Sequence, residues 1–307
     1  MAVRILPVAA PGKEIKSTER RLPRNLREWI TEIIKYTVLL TLGASYLLPL
    51  YWMVSSSLKD DSQVYVVPPV WIPIPAHFEN FWNAWTKYPF TQYFFNTVFR
   101  YAIPVTIGTV LSSSIVAYGF SRLKWKGRDA LFAVCLATMM VPFQVTMVSL
   151  FIIFRKLGWL NSYLPLTVPA FFGNPYFIFL LRQFFRTIPD ELSDAARIDG
   201  ANEFDILFRI IIPLSTPALT VVALFAFMGA WNDYLGPLVY LNNSDQYPLS
   251  IGIQSMRTAL SMKAVGKSNA YPYLMAVSTV VTLPILLAFF FAQRKFIEGI
   301  TLTGLKG

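Results

Sequence analysis

The chain has 307 residues, of which 14% are charged and 55% are hydrophobic, and its mean hydropathy is +0.48. Soluble globular proteins carry about 25% charged residues, so this composition cannot supply a water-soluble surface. The single cysteine, Cys135, excludes an intramolecular disulfide framework. The single histidine, His77, excludes a histidine-based metal cluster and a Ser-His-Asp relay.

Six stretches of 19 to 25 residues lack Asp, Glu, Lys, Arg and His. Each is long enough to cross a bilayer core of about 30 Å as a helix. The stretches are residues 36–58, 101–120, 130–154, 163–181, 210–231 and 271–292. They alternate too little for the strands of an outer-membrane barrel, whereas helices satisfy their own backbone groups in lipid. The sequence therefore predicts an all-α polytopic membrane protein with six transmembrane helices.

The basic residues outside these stretches are distributed unevenly between the two sides of the membrane. Nineteen Lys and Arg residues fall on the side of the two termini and eight fall on the other side. The positive-inside bias therefore predicts that both termini are cytoplasmic, and it accounts for most of the net charge of +10 without nucleic acid. Residues 1–35 carry eight basic side chains and are predicted to be a retained cytoplasmic tail, followed by a single membrane domain over 36–307.

The longest predicted extracytoplasmic segment, residues 59–100, combines five prolines with interspersed aromatic residues. Phe78, Phe81, Trp82 and Trp85 recur at helical spacing, which predicts an amphipathic helix on the outer surface. This pattern is typical both of an aromatic belt at the lipid interface and of a docking surface, and the sequence leaves both interpretations open.

The cytoplasmic segment 182–213 has the pattern of a helix, a glycine turn and a second helix. Pro189 suits a first helical turn, and the acidic residues that follow it lie near the positive end of the helix dipole. Gly200 is expected to end this helix, and Asn202 can cap the next one. An interfacial helix on lipid headgroups is the alternative, but six acidic residues against four arginines suit anionic lipid poorly. A protein partner is therefore the preferred interpretation.

One face of the first predicted helix carries mostly small residues that another protein could approach closely. The residues on this face, at positions i, i+3, i+4 and i+7, are Leu192, Ala195, Ala196 and Asp199.

This segment resembles the EAA loop of the permease subunits of binding-protein-dependent ABC importers. DAARIDGA occupies 194–201 and IIIP occupies 210–213, with Asp194 where the family has Glu and Ile212 where it prefers Leu. Further segments resemble the carbohydrate-uptake branch, and in particular its maltose-type second permease. They are LLPLYWMVSSSLK at 47–59, YGFSRLKWKGRD at 118–129, MMVPFQVTM at 139–147, WNDYLGPL at 231–238 and FIEGITLTGLKG at 296–307.

The resemblance implies a type I ABC importer permease fold in the inner membrane of a prokaryote. It implies that the EAA loop docks on a nucleotide-binding ATPase subunit and continues into the fifth span, so that closure of two such subunits drives alternating access. The implied coupling residues are Leu192, Asp194, Ala195, Ala196, Asp199 and Gly200. The implied partners are a second homologous permease, two ATPase subunits and an extracytoplasmic solute-binding protein.

The chain itself is expected to bind no cofactor, because ATP and Mg²⁺ would be used by the ATPase subunits. Gly266, Lys267 and Ser268 reproduce only the end of a phosphate-binding loop, and Ser261 stands where its first glycine would be. No acid–base or metal constellation indicates an enzyme, so the chain is expected to be a channel-forming subunit.

Interrupted spans point to the solute pathway of a transporter. Pro142 interrupts the third stretch, and Gly173 and Pro175 interrupt the fourth. Sugars are bound by stacking aromatic rings and amide hydrogen bonds. The candidate pathway residues are Gln144, Asn174, Trp231 and Asn232. Helix packing is the alternative role for each of them.

An ion-coupled secondary transporter is the competing function. Coupling to protons or sodium usually places ionisable side chains inside the spans, and the six stretches contain none. An importer of a sugar or sugar-like solute is therefore preferred.

Overall fold

The structure is a computed structural model that describes residues 26–262 and 270–304, with side chains described for 28–258 and 271–293. Most of the predicted basic tail, the Gly266-Lys267-Ser268 tripeptide and the side chains of 296–307 lie outside the described residues.

Every regular element in the described ranges is helical, which confirms the predicted all-α fold class. In chain order the helices are α1 Leu26–Ser57, α2 Asp61–Val64, α3 Glu79–Lys87, α4 Phe90–Ser121, α5 Arg128–Met140, α6 Phe143–Lys156, α7 Leu164–Phe185, α8 Asp190–Ile198, α9 Glu203–Leu214, α10 Thr216–Asn232, α11 Leu235–Tyr240, α12 Leu249–Met262 and α13 Ala270–Gly304. The helical path of α7 is interrupted at Gly173 and Asn174, where Gly173 has φ +90°.

The chain divides into two units, Met1–Leu50 and Tyr51–Gly307. The described part of the first unit is residues 26–50, which form most of α1. The second unit contains all the other helices together with the last turns of α1, and it holds the candidate site.

Four helical segments in the described ranges are long and apolar enough to cross a membrane: Glu28–Ser57, Phe90–Ser121, Leu164–Phe185 and Tyr271–Gln293. Two further pairs are apolar enough but sharply bent, by 96° between α5 and α6 and by 84° between α9 and α10. If each bent pair crosses the membrane once, the described part of the chain has six spans, as the sequence predicts.

Several helix boundaries differ from those predicted by the charge-free runs. Helix α4 begins at Phe90 rather than at residue 101, which shortens the predicted outer segment 59–100. The predicted charge-free stretch began at residue 101 because Arg100 is charged. The structure accommodates Arg100 within α4, where its guanidinium lies 5.9 Å from the centre of the Phe95 ring. Helix α1 begins at Leu26, so the boundary predicted at residue 35 falls inside a helix.

The predicted fifth stretch, residues 210–231, is not one straight helix, because α9 and α10 meet at a bend centred on Ser215. Pro217 has no amide hydrogen to donate to the carbonyl of Pro213, four residues earlier. The Thr216 hydroxyl donates to the Pro213 carbonyl instead, at 2.7 Å. The chain therefore changes direction at this point before α10 begins.

A first hydrophobic cluster lies where α4, α7, α9 and α10 meet, next to the helix–turn–helix formed by α8 and α9. Its fully or almost fully buried members include Tyr118, Leu181, Phe185, Ile206 and Val222. A second cluster joins α3, α4, α10, α12 and α13 around Phe90, Trp231, Leu249, Met256 and Val277. The helix–turn–helix therefore packs against a hydrophobic core.

Candidate coupling site

Helix α8, its glycine turn and helix α9 form the predicted helix–turn–helix. Gly200 has φ +84°, a left-handed conformation that favours glycine. The Ala201 amide donates to the Ala196 carbonyl at 2.9 Å and closes the end of α8. Asn202 Oδ1 accepts from the Asp205 amide at 3.0 Å, so it caps α9. The structure confirms the turn at Gly200 and the cap at Asn202.

Most of the residues predicted to form the coupling surface are exposed, but one of them packs inward. Leu192, Asp194, Ala195, Asp199 and Gly200 face outward. Ala196 is half-buried against the first hydrophobic cluster, beside the buried Ser193. The outer surface is therefore rotated slightly from the face that the spacing predicted.

Two large apolar side chains on this surface were missed by the sequence reasoning. Ile198 is 87% exposed at the end of α8, and Phe204 is 67% exposed in the first turn of α9. The sequence did offer a signal for this exposure, because Ile198 and Phe204 flank the turn at Gly200 and neither falls on the face of small residues that the spacing predicted. With Leu192, which is 44% exposed, they are large apolar side chains that the helix–turn–helix exposes.

Charged side chains brace the two arms of the helix–turn–helix against each other. Arg197 of α8 donates to Glu203 Oε1 of α9 at 2.9 Å and to Asp194 Oδ1 at 2.7 Å. The hydrogen bonds from Arg197 lower the pKa of Glu203, and those to Glu203 raise the pKa of Arg197. Asp194 is thus paired within its own helix and still lies on the exposed surface.

The C-terminal end of α4 and its cap residue contact both arms. The Tyr118 hydroxyl donates to Glu203 Oε2 at 2.5 Å. Arg122, whose side chain is 2% exposed, forms an ion pair with Asp190 at the start of α8. Its Nη2 donates to the carbonyls of Phe185 and Ile188, each at 2.6 Å. Sequence reasoning missed both residues because their partners lie more than 60 positions away.

A second buried arginine fastens the neighbouring helices. Arg182 of α7 donates to the Phe120 carbonyl at 3.1 Å and pairs with Asp129 of α5 at 3.2 Å. Its guanidinium lies 4.0 Å from the centre of the Phe132 ring. The ends of α4, α5 and α7 are therefore tied together beside the helix–turn–helix.

The four candidate pathway residues occupy different environments. Gln144 is exposed in the first turn of α6, and Asn174 is exposed with its side chain accepting from the Tyr176 amide at 3.0 Å. Asn232 is exposed and donates to the Met228 carbonyl at 2.8 Å. Trp231 is 4% exposed and packs edge-on against Phe94 in the second cluster, so in this conformation it is a core residue.

A polar anchor that the sequence did not predict lies at the other end of α10. The Tyr101 hydroxyl donates to Asp233 Oδ2 at 2.5 Å, and the Gly236 amide donates to Asp233 Oδ1 at 3.1 Å. The Ser250 hydroxyl donates to the Asp233 carbonyl at 2.7 Å. Asp233 therefore joins α4, α11 and α12. In the described ranges, no three His, Cys, Asp or Glu side chains are placed to hold a metal ion.

Membrane-length helices, two sharply bent apolar helix pairs and an exposed helix–turn–helix are the features of a polytopic helical membrane protein. Residues 108–301 match the family described as the binding-protein-dependent transport system inner membrane component, and the chain belongs to this family. This membership gives the ion-coupled secondary transporter no support.

Relatives of known transport class indicate the branch of this family to which the chain belongs. The chain is 32% identical over 276 residues to the arabinooligosaccharides transport system permease protein AraQ of Halalkalibacterium halodurans, covering 88% of this chain and 96% of the relative. It is also 32% identical over 274 residues to the lactose transport system permease protein LacG of Rhizobium radiobacter, covering 89% and 96%. The chain is thus a permease subunit of the carbohydrate-uptake branch of binding-protein-dependent ABC importers.

A solved structure supports the fold. A bacterial ABC transporter involved in the import of the acidic polysaccharide alginate contains a chain that matches this one with a TM-score of 0.77 at 23% identity, over 90% of this chain and 99% of that chain. This likeness confirms the type I importer permease fold.

Proposed function

We propose that this chain forms one transmembrane half of an ATP-driven importer and that the helix–turn–helix of α8 and α9 docks on a nucleotide-binding subunit. The observation that carries the proposal is the exposure of Leu192, Ile198 and Phe204 on an element whose two arms are bonded through Arg197 and Glu203. Exposed apolar side chains on an element that also carries six acidic residues suit a protein groove better than anionic lipid.

Small residues beside this surface let a partner approach the backbone. Ala195, Asp199 and Gly200 are exposed on α8 and its turn. In the proposed complex these residues, together with Asp194, line the contact, and Ile198 fills a socket on the ATPase subunit. Ala196 acts from beneath by fixing α8 on the first hydrophobic cluster. ATP and Mg²⁺ are bound by the ATPase subunits, where hydrolysis takes place.

The proposed assembly contains a second homologous permease, two ATPase subunits and an extracytoplasmic solute-binding protein. The helix–turn–helix lies at the cytoplasmic face, with both termini on the same side. The distribution of 19 basic residues against eight supports this orientation.

We infer that the solute is a short saccharide, since the named relatives carry arabinooligosaccharides and lactose. Gln144, Asn174 and Asn232 are the proposed pathway residues because their amide groups are exposed. Trp231 supports the end of α10 from the core, and it would contact solute only if the second cluster opened.

The test is purification of the complex from its native membrane and reconstitution in nanodiscs. We expect an ATPase subunit to copurify, and we expect ATP hydrolysis to rise when the binding protein is added with one sugar from a panel of mono-, di- and oligosaccharides. A chain that purifies without an ATPase, or hydrolysis that no loaded binding protein changes, would contradict the proposal.

A further inference from the structure

We propose that Tyr118, in the last turn of α4, and Arg122, the residue at the C-cap of α4, form a clamp that transmits movement of the helix–turn–helix directly into α4. The inference rests on the proposed function, since the ATPase subunits would supply the movement. It assigns the transmission to a helix distant in sequence from the docking element, in addition to α10, which follows the element in the chain.

The first jaw of the clamp is Arg122. Its guanidinium bonds Asp190, in the first turn of α8, and the carbonyls of Phe185 and Ile188, which precede α8. The side chain is 2% exposed, so water cannot easily replace these bonds. A lysine could retain the charge but could not reach three acceptors with the planar fork of an arginine.

The second jaw is Tyr118. It lies in the last turn of α4, four residues before Arg122, and its hydroxyl donates to Glu203 in the first turn of α9. Glu203 also accepts from Arg197 of α8, so this jaw reaches both arms. The C-terminal end of α4 therefore contacts the helix–turn–helix both at the start of α8 and at the start of α9, after the glycine turn.

Movement of the helix–turn–helix could also pass along the chain from α9 into α10, but the chain bends sharply between these two helices. Helices α9 and α10 meet at 84°, with proline at 213 and at 217 on either side of Ser215. A displacement of α9 along its own axis is therefore nearly perpendicular to α10. Helix α4 has no such break next to its clamp, and its buried Ala117 and Phe120 pack with Leu181 and Val222 of α7 and α10 in the first cluster. Movement of α4 would therefore reach two further spans through packed side chains.

The decisive experiment separates docking from transmission. The variants are Tyr118→Phe, which removes only a hydroxyl, and Arg122→Lys, which keeps the charge. The control is Tyr163→Phe, which removes another partly buried hydroxyl that donates to the Gln246 carbonyl at 2.6 Å. The readouts are the copurified ATPase and the sugar transported per ATP hydrolysed, measured on the complex in proteoliposomes with its binding protein.

We expect both clamp variants to keep the ATPase bound and to lower the sugar transported per ATP by about fivefold or more, the lower end of measured coupling effects. Tyr163→Phe should leave this ratio unchanged. An unchanged ratio in Tyr118→Phe would overturn the clamp, and so would loss of the ATPase together with transport, because the residues would then serve docking alone.

Hydrogen exchange of the full-length permease in nanodiscs tests the clamp without the ATPase. We expect faster amide exchange in α9 for Tyr118→Phe and in α8 for Arg122→Lys, and wild-type exchange in both for Tyr163→Phe. Unchanged exchange would overturn the clamp even if the ATPase copurifies. Absence of the ATPase from the wild-type complex would instead contradict the proposed function.

Discussion

The Tyr118 hydroxyl lies 2.5 Å from a carboxylate oxygen of Glu203, across 85 positions of sequence. This contact joins the last turn of α4 to the first turn of α9. Because Arg197 donates to the same carboxylate, Glu203 is where α4, α8 and α9 meet. The charge of Glu203 therefore supports the helix–turn–helix from two sides, beside the separate ion pair of Arg122 with Asp190.

Acid should loosen the helix–turn–helix. Hydrogen bonds from Arg197 hold the pKa of Glu203 below its ordinary value of 4.5, so the carboxylate stabilises the fold above that pH and loses its contribution as the pH falls through the lowered pKa. The effect should be at most about 1 kcal/mol, since the Glu203 side chain is 41% exposed and water screens it. Amide exchange in α8 and α9, followed from pH 7 to pH 3.5, measures it.

The control for this measurement is Glu203→Gln, which cannot titrate. Its exchange rates should exceed those of the wild type at pH 7, and the difference should shrink progressively as the pH falls below about 4.5. Glu191→Gln, on the exposed side of α8, should follow the wild type throughout. A difference between wild type and Glu203→Gln that persists unchanged at pH 3.5 would show that charge is not the cause.

Gly200→Ala should strain the turn and weaken docking. Gly200 has φ +84°, and an alanine Cβ there would meet nothing within 4 Å among the described atoms, so strain is the only local cost. That cost is about 1–2 kcal/mol. Gly158 has φ +70° and equally open surroundings, but it follows α6 rather than α8. Gly158→Ala should lower stability by a similar amount and leave ATPase copurification unchanged. Equal loss of the ATPase in both variants would contradict a local role for Gly200.

Replacing Ile198 with Glu should abolish docking without unfolding the permease. Ile198 is 87% exposed, so a charge there costs the isolated chain little, whereas burying that charge in a partner's groove costs several kcal/mol. Ile72, 70% exposed in the segment between α2 and α3, provides the matched control Ile72→Glu. The expected result is loss of copurified ATPase in Ile198→Glu alone, at an unchanged unfolding temperature. Retained ATPase in Ile198→Glu would remove this residue from the docking surface.

Much of this site was predictable because its signals are local. The charge-free stretches predicted the membrane-length helices. The turn and the helix cap were predicted from the backbone freedom of Gly200 and the capping side chain of Asn202. The clamp was not predictable, since Arg122 bonds carbonyls 63 and 66 positions away and any sequence could supply those acceptors. The burial of Trp231 was also hidden, because aromatic residues at span ends are equally typical of interfaces and cores.

The polar anchor at Asp233 leaves no room for a side chain at Gly236. An alanine Cβ there would lie 2.5 Å from Asp233 Oδ2 and 2.9 Å from Leu166 Cδ2. Gly236→Ala should therefore displace the carboxylate from Tyr101 and destabilise the protein by about 1–3 kcal/mol. Gly229 lies in α10, where an alanine Cβ would meet nothing within 4 Å among the described atoms, so Gly229→Ala should be neutral or slightly stabilising. Thermal unfolding in nanodiscs compares the two variants. Equal unfolding temperatures would show that the Asp233 side chain can move aside without a loss of stability.

Asn174 allows a capping role to be separated from a role in solute contact. Its Oδ1 accepts from the Tyr176 amide, and an aspartate can replace that acceptor but not the amide donor. Asn174→Ala should cost about 1 kcal/mol of stability through the lost cap, whereas Asn174→Asp should keep the stability of the wild type.

If the amide donor binds a sugar hydroxyl, both Asn174 variants should raise the KM for sugar uptake by about tenfold, equivalent to one hydrogen bond of about 1.4 kcal/mol. Uptake by proteoliposomes over a range of loaded binding-protein concentrations measures this. Because the capping acceptor survives in Asn174→Asp, a wild-type KM in that variant would assign Asn174 to helix capping alone and leave the amides of Gln144 and Asn232 as the proposed pathway contacts.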